Sequence, residues 1–463
     1  KYKTIVYVCN LYNKENMYKR QIISQLLQWK QSTYRKPLVL RGARQVGKTT
    51  VVHQFSEHFS QYIYLNLENE EDKQIFRNRH SIHELVQALF FIKDKNSENI
   101  NTLLFIDEIQ EMPEAIASLR YFFESYPQYY VIAAGSLLET VFDTTISFPV
   151  GRIEYQFLYP FSFVEFLEAC GEQQALEQFN KIPLADFAHD KLMRLFHTYT
   201  LIGGMPEVVK RYVEQRDLTQ LKSVYESLLL SYIDDIEKYA RNATQTQILR
   251  HAITSCFREA GSRIRFNGFG SSAYGSREMG EALRTLEKAK LIYLIYPTTQ
   301  TKLPFQPDLK KSPRLQVLDT GMVNFLAGIQ KEVFSTADLL DVYHGKIIEH
   351  IVGQELMTAN KNQLNKPLFW VRDKEGTTAE LDFLVLVENK GIPVEVKSGK
   401  TGKLRSLHQY IEMSESPIAI RLYAGKLTVD KLQTPTGKQF TLLNLPYCLA
   451  YKIQEYSDWL TRF

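Results

Sequence analysis

Short unbroken apolar runs alternate along the N-terminal part of the chain with stretches whose apolar positions recur every three or four residues. Leu38–Leu40, Tyr62–Leu67, Leu103–Ile106 and Tyr130–Ala134 read as strands, with helical patterns between them. Continuous apolar strands separated by helices predict a doubly wound parallel sheet, buried on both faces. Ahead of the first strand, Ile22, Ile23, Leu26 and Leu27 mark one face of a helix from Lys19 to Trp29. Beyond Tyr159 the pattern is helical to about Lys238, with Ser162 and Glu165 spaced as a capping box and a break at Gly203-Gly204-Met205-Pro206.

Amphipathic helices follow at Thr244–Ala260 and Ser276–Lys290, the second with Met279, Ala282, Leu283, Leu286 and Ala289 on its apolar face. A strand at Leu291–Tyr296 comes next. This order of helix, turn, helix and strand resembles a winged helix. Pro297–Pro313 reads as an extended connector, leading to a strand at Leu315–Leu318 that turns at Gly321 into a helix near Met322–Leu326. The C-terminal region opens with a helix marked by Ile347, Ile348, Ile351, Val352 and Leu356. Strands are predicted at Leu368–Arg372, Glu380–Val387 and Ile392–Val396, a helix from Leu404 to Met413, and a strand at Pro417–Tyr423. The expected division is a doubly wound α/β core over 17–160, a helical lid over 161–240, a winged-helix-like segment over 241–300, a connector over 301–342 and a C-terminal α/β domain over 343–463.

With 463 residues, 44% hydrophobic and 23% charged, the chain is globular and long enough for about three domains. A net charge of +4 is too mild to imply nucleic acid by itself. Cys9, Cys170, Cys256 and Cys448 lack metal-ligand spacing and read as buried thiols in a reducing cytoplasm. No apolar run approaches the length of a membrane span. Ile5–Cys9 is too short and poorly flanked for a signal peptide. Residues 1–16 are expected to be peripheral, with Met17 the more natural beginning.

The first strand leads directly into Gly42-Ala43-Arg44-Gln45-Val46-Gly47-Lys48-Thr49, followed by Thr50: the Walker A pattern. Glycines let consecutive backbone N–H groups turn inward on phosphate oxygens, and the following helix N-terminus adds partial positive charge. Lys48 would reach the β- and γ-phosphates, and Thr49 would place its hydroxyl on Mg²⁺. Asp107 and Glu108 end the third strand, where open α/β sheets bind ligands. Asp107 is the candidate Mg²⁺ holder through water, and Glu108 the group that polarises the attacking water. Ser136 follows the fourth strand, placed either as a γ-phosphate sensor or as a helix N-cap.

Two further groups carry chemistry. Arg277, Arg284 and Lys288 fall on one helix face, with Arg263 and Arg265 upstream; such a row suits DNA phosphates, although Glu281 interrupts it. Glu349, Asp382, Glu395 and Lys397 make a possible metal-ion nuclease constellation, with Glu395 and Lys397 projecting from one strand face. The competing reading is a charge network, because cross-strand ion pairs produce Glu-x-Lys routinely.

Leu-Arg-Gly-Ala-Arg-Gln-Val-Gly-Lys-Thr at 40–49, Phe-Ile-Asp-Glu-Ile-Gln at 105–110, and Gly-Ser at 135–136 with Gly-Arg at 151–152 and Pro-Phe-Ser-Phe-Val-Glu-Phe at 160–166 together resemble a prokaryotic family of AAA-type ATPases. Leu-Asp-Thr-Gly at 318–321, Glu-Leu-Asp-Phe at 380–383 and Val-Glu-Val-Lys-Ser-Gly at 394–399 are similar to its uncharacterised C-terminal domain. The resemblance implies a P-loop NTPase core, a winged helix and a restriction-endonuclease-like C-terminal domain. By position, Arg152 resembles that family's Gly-Arg arginine, a γ-phosphate contact from a neighbouring loop or subunit, with a structural salt bridge as the alternative. Gly203–Glu207 resembles the region where related ATPases carry a sensor arginine; this chain has Glu207 there, with Lys210 and Arg211 close by. The expected function is a cytoplasmic Mg²⁺-dependent ATPase, with Lys48, Glu108 and Arg152 in catalysis. It would act on DNA or a partner protein, with a homo-oligomer as a further candidate partner and without a membrane. An ATP-regulated nuclease and a non-enzymatic nucleotide switch in a signalling or defence complex are the alternatives.

Overall fold

The computed structural model describes residues 18–77, 81–135, 149–238, 240–328, 345–360, 366–373, 379–387, 390–399 and 404–462. They form two compact units, one ending at Leu158 and one beginning at Tyr159. The expectations for residues 1–16, Met17, Cys9 and Ser136 lie outside the described residues.

In the first unit the helices are α1 (Ile22–Gln31), α2 (Lys48–Ser56), α3 (Glu70–Phe76), α4 (Ile82–Ile92) and α5 (Pro113–Ser125). The strands are β1 (Leu38–Arg41), β2 (Gln61–Asn66), β3 (Thr102–Asp107), β4 (Tyr130–Ala134) and β5 (Glu154–Phe157). They form one parallel sheet in the order β2-β3-β4-β1-β5. Every residue of β3 is buried, as are Leu38, Val39 and Leu40 of β1, which is why both segments read as unbroken apolar runs. The edge strand β5 escaped the sequence reading: its residues are only partly buried, and Glu154-Tyr155-Gln156-Phe157 carries no apolar run. The sheet places the ends of β1 and β3 on one edge, on either side of β4. The P-loop NTPase α/β fold expected from the sequence is therefore present.

The second unit begins with α6 (Phe163–Ala169), α7 (Gln173–Phe179), α8 (His189–Ile202), α9 (Pro206–Gln215), α10 (Lys222–Glu237), α11 (Ala243–Arg258) and α12 (Ser276–Lys288). The capping box is formed: Ser162 N–H donates to Glu165 Oε2 at 2.9 Å, and Glu165 N–H to Ser162 Oγ. After α12 come β6 (Ile292–Ile295), β7 (Pro297–Thr298), β8 (Arg314–Val317), α13 (Thr320–Ala327) and α14 (Gly345–Ala359). β6 and β8 pair as an antiparallel two-stranded sheet. The remaining elements are β9 (Leu368–Val371), β10 (Glu380–Val387), β11 (Lys390–Val396), α15 (Arg405–Met413), β12 (Ile418–Tyr423), β13 (Thr428–Gln433), β14 (Gln439–Pro446) and α16 (Ile453–Thr461). With β7 they build a mixed sheet in the order β13-β14-β12-β11-β10-β9-β7. Cys170, Cys256 and Cys448 are buried free thiols, as expected.

Two sequence motifs of this unit serve packing. Gly204 N–H donates to Asp319 Oδ2 at 2.6 Å, and Gly204 O accepts from Phe161 N–H at 2.7 Å. A Cβ at Gly204 would lie 2.1 Å from the Phe161 carbonyl oxygen, so no side chain fits there. The Gly-Gly-Met-Pro and Leu-Asp-Thr-Gly stretches are thus halves of one joint, and the first of them precedes α9 rather than presenting a cation. Helix α14 adds a second buried tie. Both carboxylate oxygens of Glu355 accept from Phe163 N–H, at 3.1 and 3.3 Å, and Tyr199 Oη donates to Glu355 at 2.8 Å. Burial pushes the fully enclosed Glu355 carboxyl up to about 8.

Candidate functional site

The phosphate-binding loop is shaped before any ligand enters. β1 runs into Gly42, where a Cβ would fall 2.3 Å from the Leu158 carbonyl oxygen; the chain passes that close only because the side chain is missing. Gln45 takes a left-handed backbone conformation (φ 63°), and so does Gly47 (φ 92°), which caps α2. These turns bring the loop onto the N-terminus of a nine-residue helix, where unpaired N–H groups and the helix dipole favour an anion. Lys48 is buried and donates to the carbonyls of Gly42 at 3.0 Å and Ala43 at 2.8 Å, closing its ammonium over the loop. Arg20, from the segment ahead of α1, is also buried and donates to Val46 O at 2.9 Å. No local signal marks Arg20, because its role depends on a contact 26 residues away.

Thr49 and Asp107 are brought together as the sequence predicts. Thr49 Oγ1 donates to Asp107 Oδ2 at 2.7 Å across 58 residues of chain. Tyr64 Oη, from β2, lies 3.4 Å from the same carboxylate oxygen, and Glu108 N–H donates to Asp107 Oδ1 at 3.1 Å. Burial pushes the Asp107 carboxyl up to about 6; the Thr49 hydrogen bond opposes this and the Glu108 charge adds to it. A buried carboxylate beside a second carboxylate and a hydroxyl is a set of hard oxygen donors suited to Mg²⁺. Glu108 follows in a left-handed conformation (φ 50°, ψ 45°) that turns the chain out of β3 into a 3₁₀ turn at Ile109–Glu111.

Arg152 stands elsewhere. It precedes Glu154, whose register partner is Leu38, the first residue of β1, whereas the loop follows the last residue. At ~3.3 Å per residue the strand length separates them by more than ~10 Å. Arg152 is exposed and its Nε donates to Glu124 Oε1 at 3.2 Å, the salt bridge that the sequence reading kept as the alternative. Arg277 and Arg284 lie exposed on α12, as expected, while Lys288 is half-buried and Glu281 is exposed between them.

The C-terminal constellation is assembled, with an addition. Asp382 lies one step beyond the Phe383–Val394 pair, opposite Glu395. Lys397 Nζ donates to Glu395 Oε1 at 2.6 Å, and Asp382 Oδ2 accepts from Val396 N–H at 2.7 Å. Glu349 of α14 lies within electrostatic reach of all three. Burial first, and mutual repulsion second, raise the carboxyls of Glu349 and Glu395; burial also raises Asp382, against the pull of Arg314. The addition is Arg314, from β8. Its guanidinium donates to Asp382 O at 2.8 Å and to Glu380 at 2.5 Å, and sits 3.8 Å from Asp382 Oδ1. Among the described residues no group of three His, Cys, Asp or Glu side chains is arranged to hold a metal ion. Arg314 and Lys397 answer part of this negative charge, while Glu395 Oε2 is buried and, among the described residues, has no hydrogen-bond partner.

A family model described as an AAA domain matches residues 34–167. Models described as domains of unknown function, DUF8612 and DUF4143, match residues 193–333 and 344–447. None of the curated proteins compared matches the chain. Among solved structures, a Walker-type ATPase of Pyrococcus abyssi is 16% identical over 68% of this chain and 97% of its own, with a TM-score of 0.43. The Thermotoga maritima RuvB Holliday junction branch migration motor is 14% identical over 63% of this chain and 93% of its own, with a TM-score of 0.26. The AAA-domain match covers the five-stranded sheet and its loop, and with the geometry above it supports ATP binding. Among the described residues no helix is long and apolar enough to cross a membrane.

Proposed function

We propose that the chain binds ATP with Mg²⁺ and hydrolyses it, coupling nucleotide state to action on DNA or a partner protein. The observation that carries this reading is the 2.7 Å contact between the Thr49 hydroxyl and the Asp107 carboxylate, beside Lys48 at the mouth of a preformed loop. Backbone N–H groups from Gly42 to Thr49 take the phosphate oxygens, with Thr50 and Gln45 completing the turn. Lys48 leaves the Gly42 and Ala43 carbonyls for the β- and γ-phosphates. Thr49 and Asp107 hold Mg²⁺, which supplies charge neutralisation at the phosphates when bound. Glu108 accepts a proton from the attacking water, a role worth roughly 10²–10⁴-fold in rate. Arg152, in this reading, reaches a γ-phosphate only from a neighbouring copy.

The macromolecular side of the proposal rests on α11, α12 and the β6–β8 pair, whose order suits a winged helix, and on Arg277 and Arg284 exposed along α12. The α14, β9–β11, α15, β12 order suits a restriction-endonuclease-like domain. We give it no metal-dependent step, because Arg314 and Lys397 already answer its carboxylates. The test is phosphate release from ATP in Mg²⁺, with Glu108→Gln alongside. Turnover by the wild type, lost in the variant while a fluorescent ATP analogue still binds both, is the expected result. A wild type that binds no analogue would overturn the proposal.

A further inference from the structure

Asp-Glu at the end of β3 is followed by Ile109 and Gln110. Ile109 is fully buried, and the Glu111 N–H to Glu108 O bond at 3.0 Å closes the turn, so the position of Gln110 is set by the fold. From there its side-chain Nε2 donates to Glu108 Oε2 at 2.6 Å. Its other end tells more: Gln110 Oε1 is buried and, among the described residues, has no hydrogen-bond partner. Leaving a buried carbonyl without a partner is unfavourable. A glutamine present only to fill space has no reason to hold one end of its amide on a half-exposed carboxylate and leave the other end orphaned.

The backbone points the same way. Glu108 holds φ 50° and ψ 45°, a conformation that non-glycine residues adopt at some cost and that recurs where a side chain must be aimed. Backbone and amide together fix the direction of one carboxylate, while Asp107 beside it is fixed by Thr49. Resting on the ATPase reading above, we infer that Gln110 is a positioning residue for hydrolysis: it holds the Glu108 carboxylate in the orientation from which it takes the proton of the attacking water. Gln110 does not itself touch the nucleotide. Its effect is confined to turnover and passes entirely through Glu108.

That restriction makes the inference separable from a structural role. Steady-state hydrolysis and fluorescent ATP-analogue binding are measured for the wild type, Gln110→Ala, Glu108→Gln and the double variant, all in Mg²⁺. Gln110→Ala is expected to lower kcat by about tenfold, the order of one lost charge-assisted hydrogen bond. KM and analogue affinity stay within about twofold, and Gln110→Asn restores part of the rate. In the Glu108→Gln background, removal of Gln110 has no further effect, since there is no carboxylate left to aim. Gln110→Ala with wild-type kcat, or a loss that persists in the Glu108→Gln background, overturns the positioning role and leaves the ATPase reading intact. A wild type that binds the analogue but never turns over ATP removes the hydrolytic reading, and the role of Gln110 with it.

Discussion

Each unit of this protein gathers buried carboxylates around a lysine, and the two gatherings differ in what already answers the charge. In the first, Lys48 closes onto the backbone carbonyls of Gly42 and Ala43, and Asp107 is met by the hydroxyl of Thr49. In the second, Lys397 is on Glu395, and Arg314 binds the strand that carries Asp382 and Glu380. A site arranged for an external triphosphate and cation keeps polar groups that can change partner on arrival. A site whose cations are covalently part of the chain spends the same chemistry on holding its fold together. The same residue types thus lead to opposite expectations when a cation is removed.

The largest effect follows from Arg314→Met. The guanidinium is nearly enclosed, and its loss leaves Asp382, Glu395 and Glu349 facing Lys397, while Glu380 keeps its ion pair with Arg263 at 3.3 Å. Breaking a buried charge pair by removing one partner costs about 3–5 kcal/mol. Urea denaturation followed by tryptophan fluorescence should show that loss in the second unit, with ATP-analogue affinity unchanged. A variant as stable as the wild type would mean that the network does not hold the fold.

Lys48→Ala should do the reverse. The wild-type ammonium makes hydrogen bonds that would pass to phosphate oxygens, and bonds to charged groups are worth about 1.5–3 kcal/mol. Analogue affinity should therefore fall by roughly 10–100-fold, read by fluorescence titration, while the denaturation midpoint moves little. Unchanged affinity would break the comparison at its first half.

How much of this was legible beforehand depends on how local each arrangement is. The loop could be read because eight consecutive residues carry it, and β3 because burial on both faces leaves no polar position to interrupt it. Thr49 and Asp107 are 58 residues apart, yet Asp107 ends β3 and Thr49 opens the helix that follows β1 in the same parallel sheet, so a topological rule brings them together. Nothing comparable announces Arg314. Its partners lie 66 and 68 residues later, and the contact arises from how β8 packs against β10. The second cluster could therefore be listed from spacing but not interpreted, since the residue that neutralises it lies outside the motif. Strand β5 was missed for the converse reason: an edge position needs no apolar run.

The pH response of the second unit sharpens the contrast. Burial raises the Glu355 carboxyl to about 8 from an ordinary 4.5, and Asp319 to about 6 from 3.8. A raised carboxyl means that the native state keeps a proton that the unfolded chain releases, so stability is full below the unfolded values and falls as pH rises through the folded ones. The second unit should lose on the order of 2–4 kcal/mol between pH 5 and pH 8.5 through Glu355. Glu355→Gln, which keeps acceptors for Phe163 N–H and Tyr199 Oη, should flatten that slope. Denaturation midpoints at the two pH values decide it, and an equally steep slope in the variant would remove Glu355 as the cause.

Arg152→Ala should change least within one chain. Its partner Glu124 is a surface carboxylate, and an exposed ion pair adds little to stability. Its place just ahead of β5 keeps it from the loop of its own chain, so analogue affinity should change less than about twofold in dilute protein. The informative measurement is turnover per chain as protein concentration rises. If Arg152 completes a neighbour's site, wild-type turnover climbs with concentration and the variant's does not, while both bind nucleotide alike. If both climb together, Arg152 is only the surface partner of Glu124, and a different group of the neighbouring copy completes the first site.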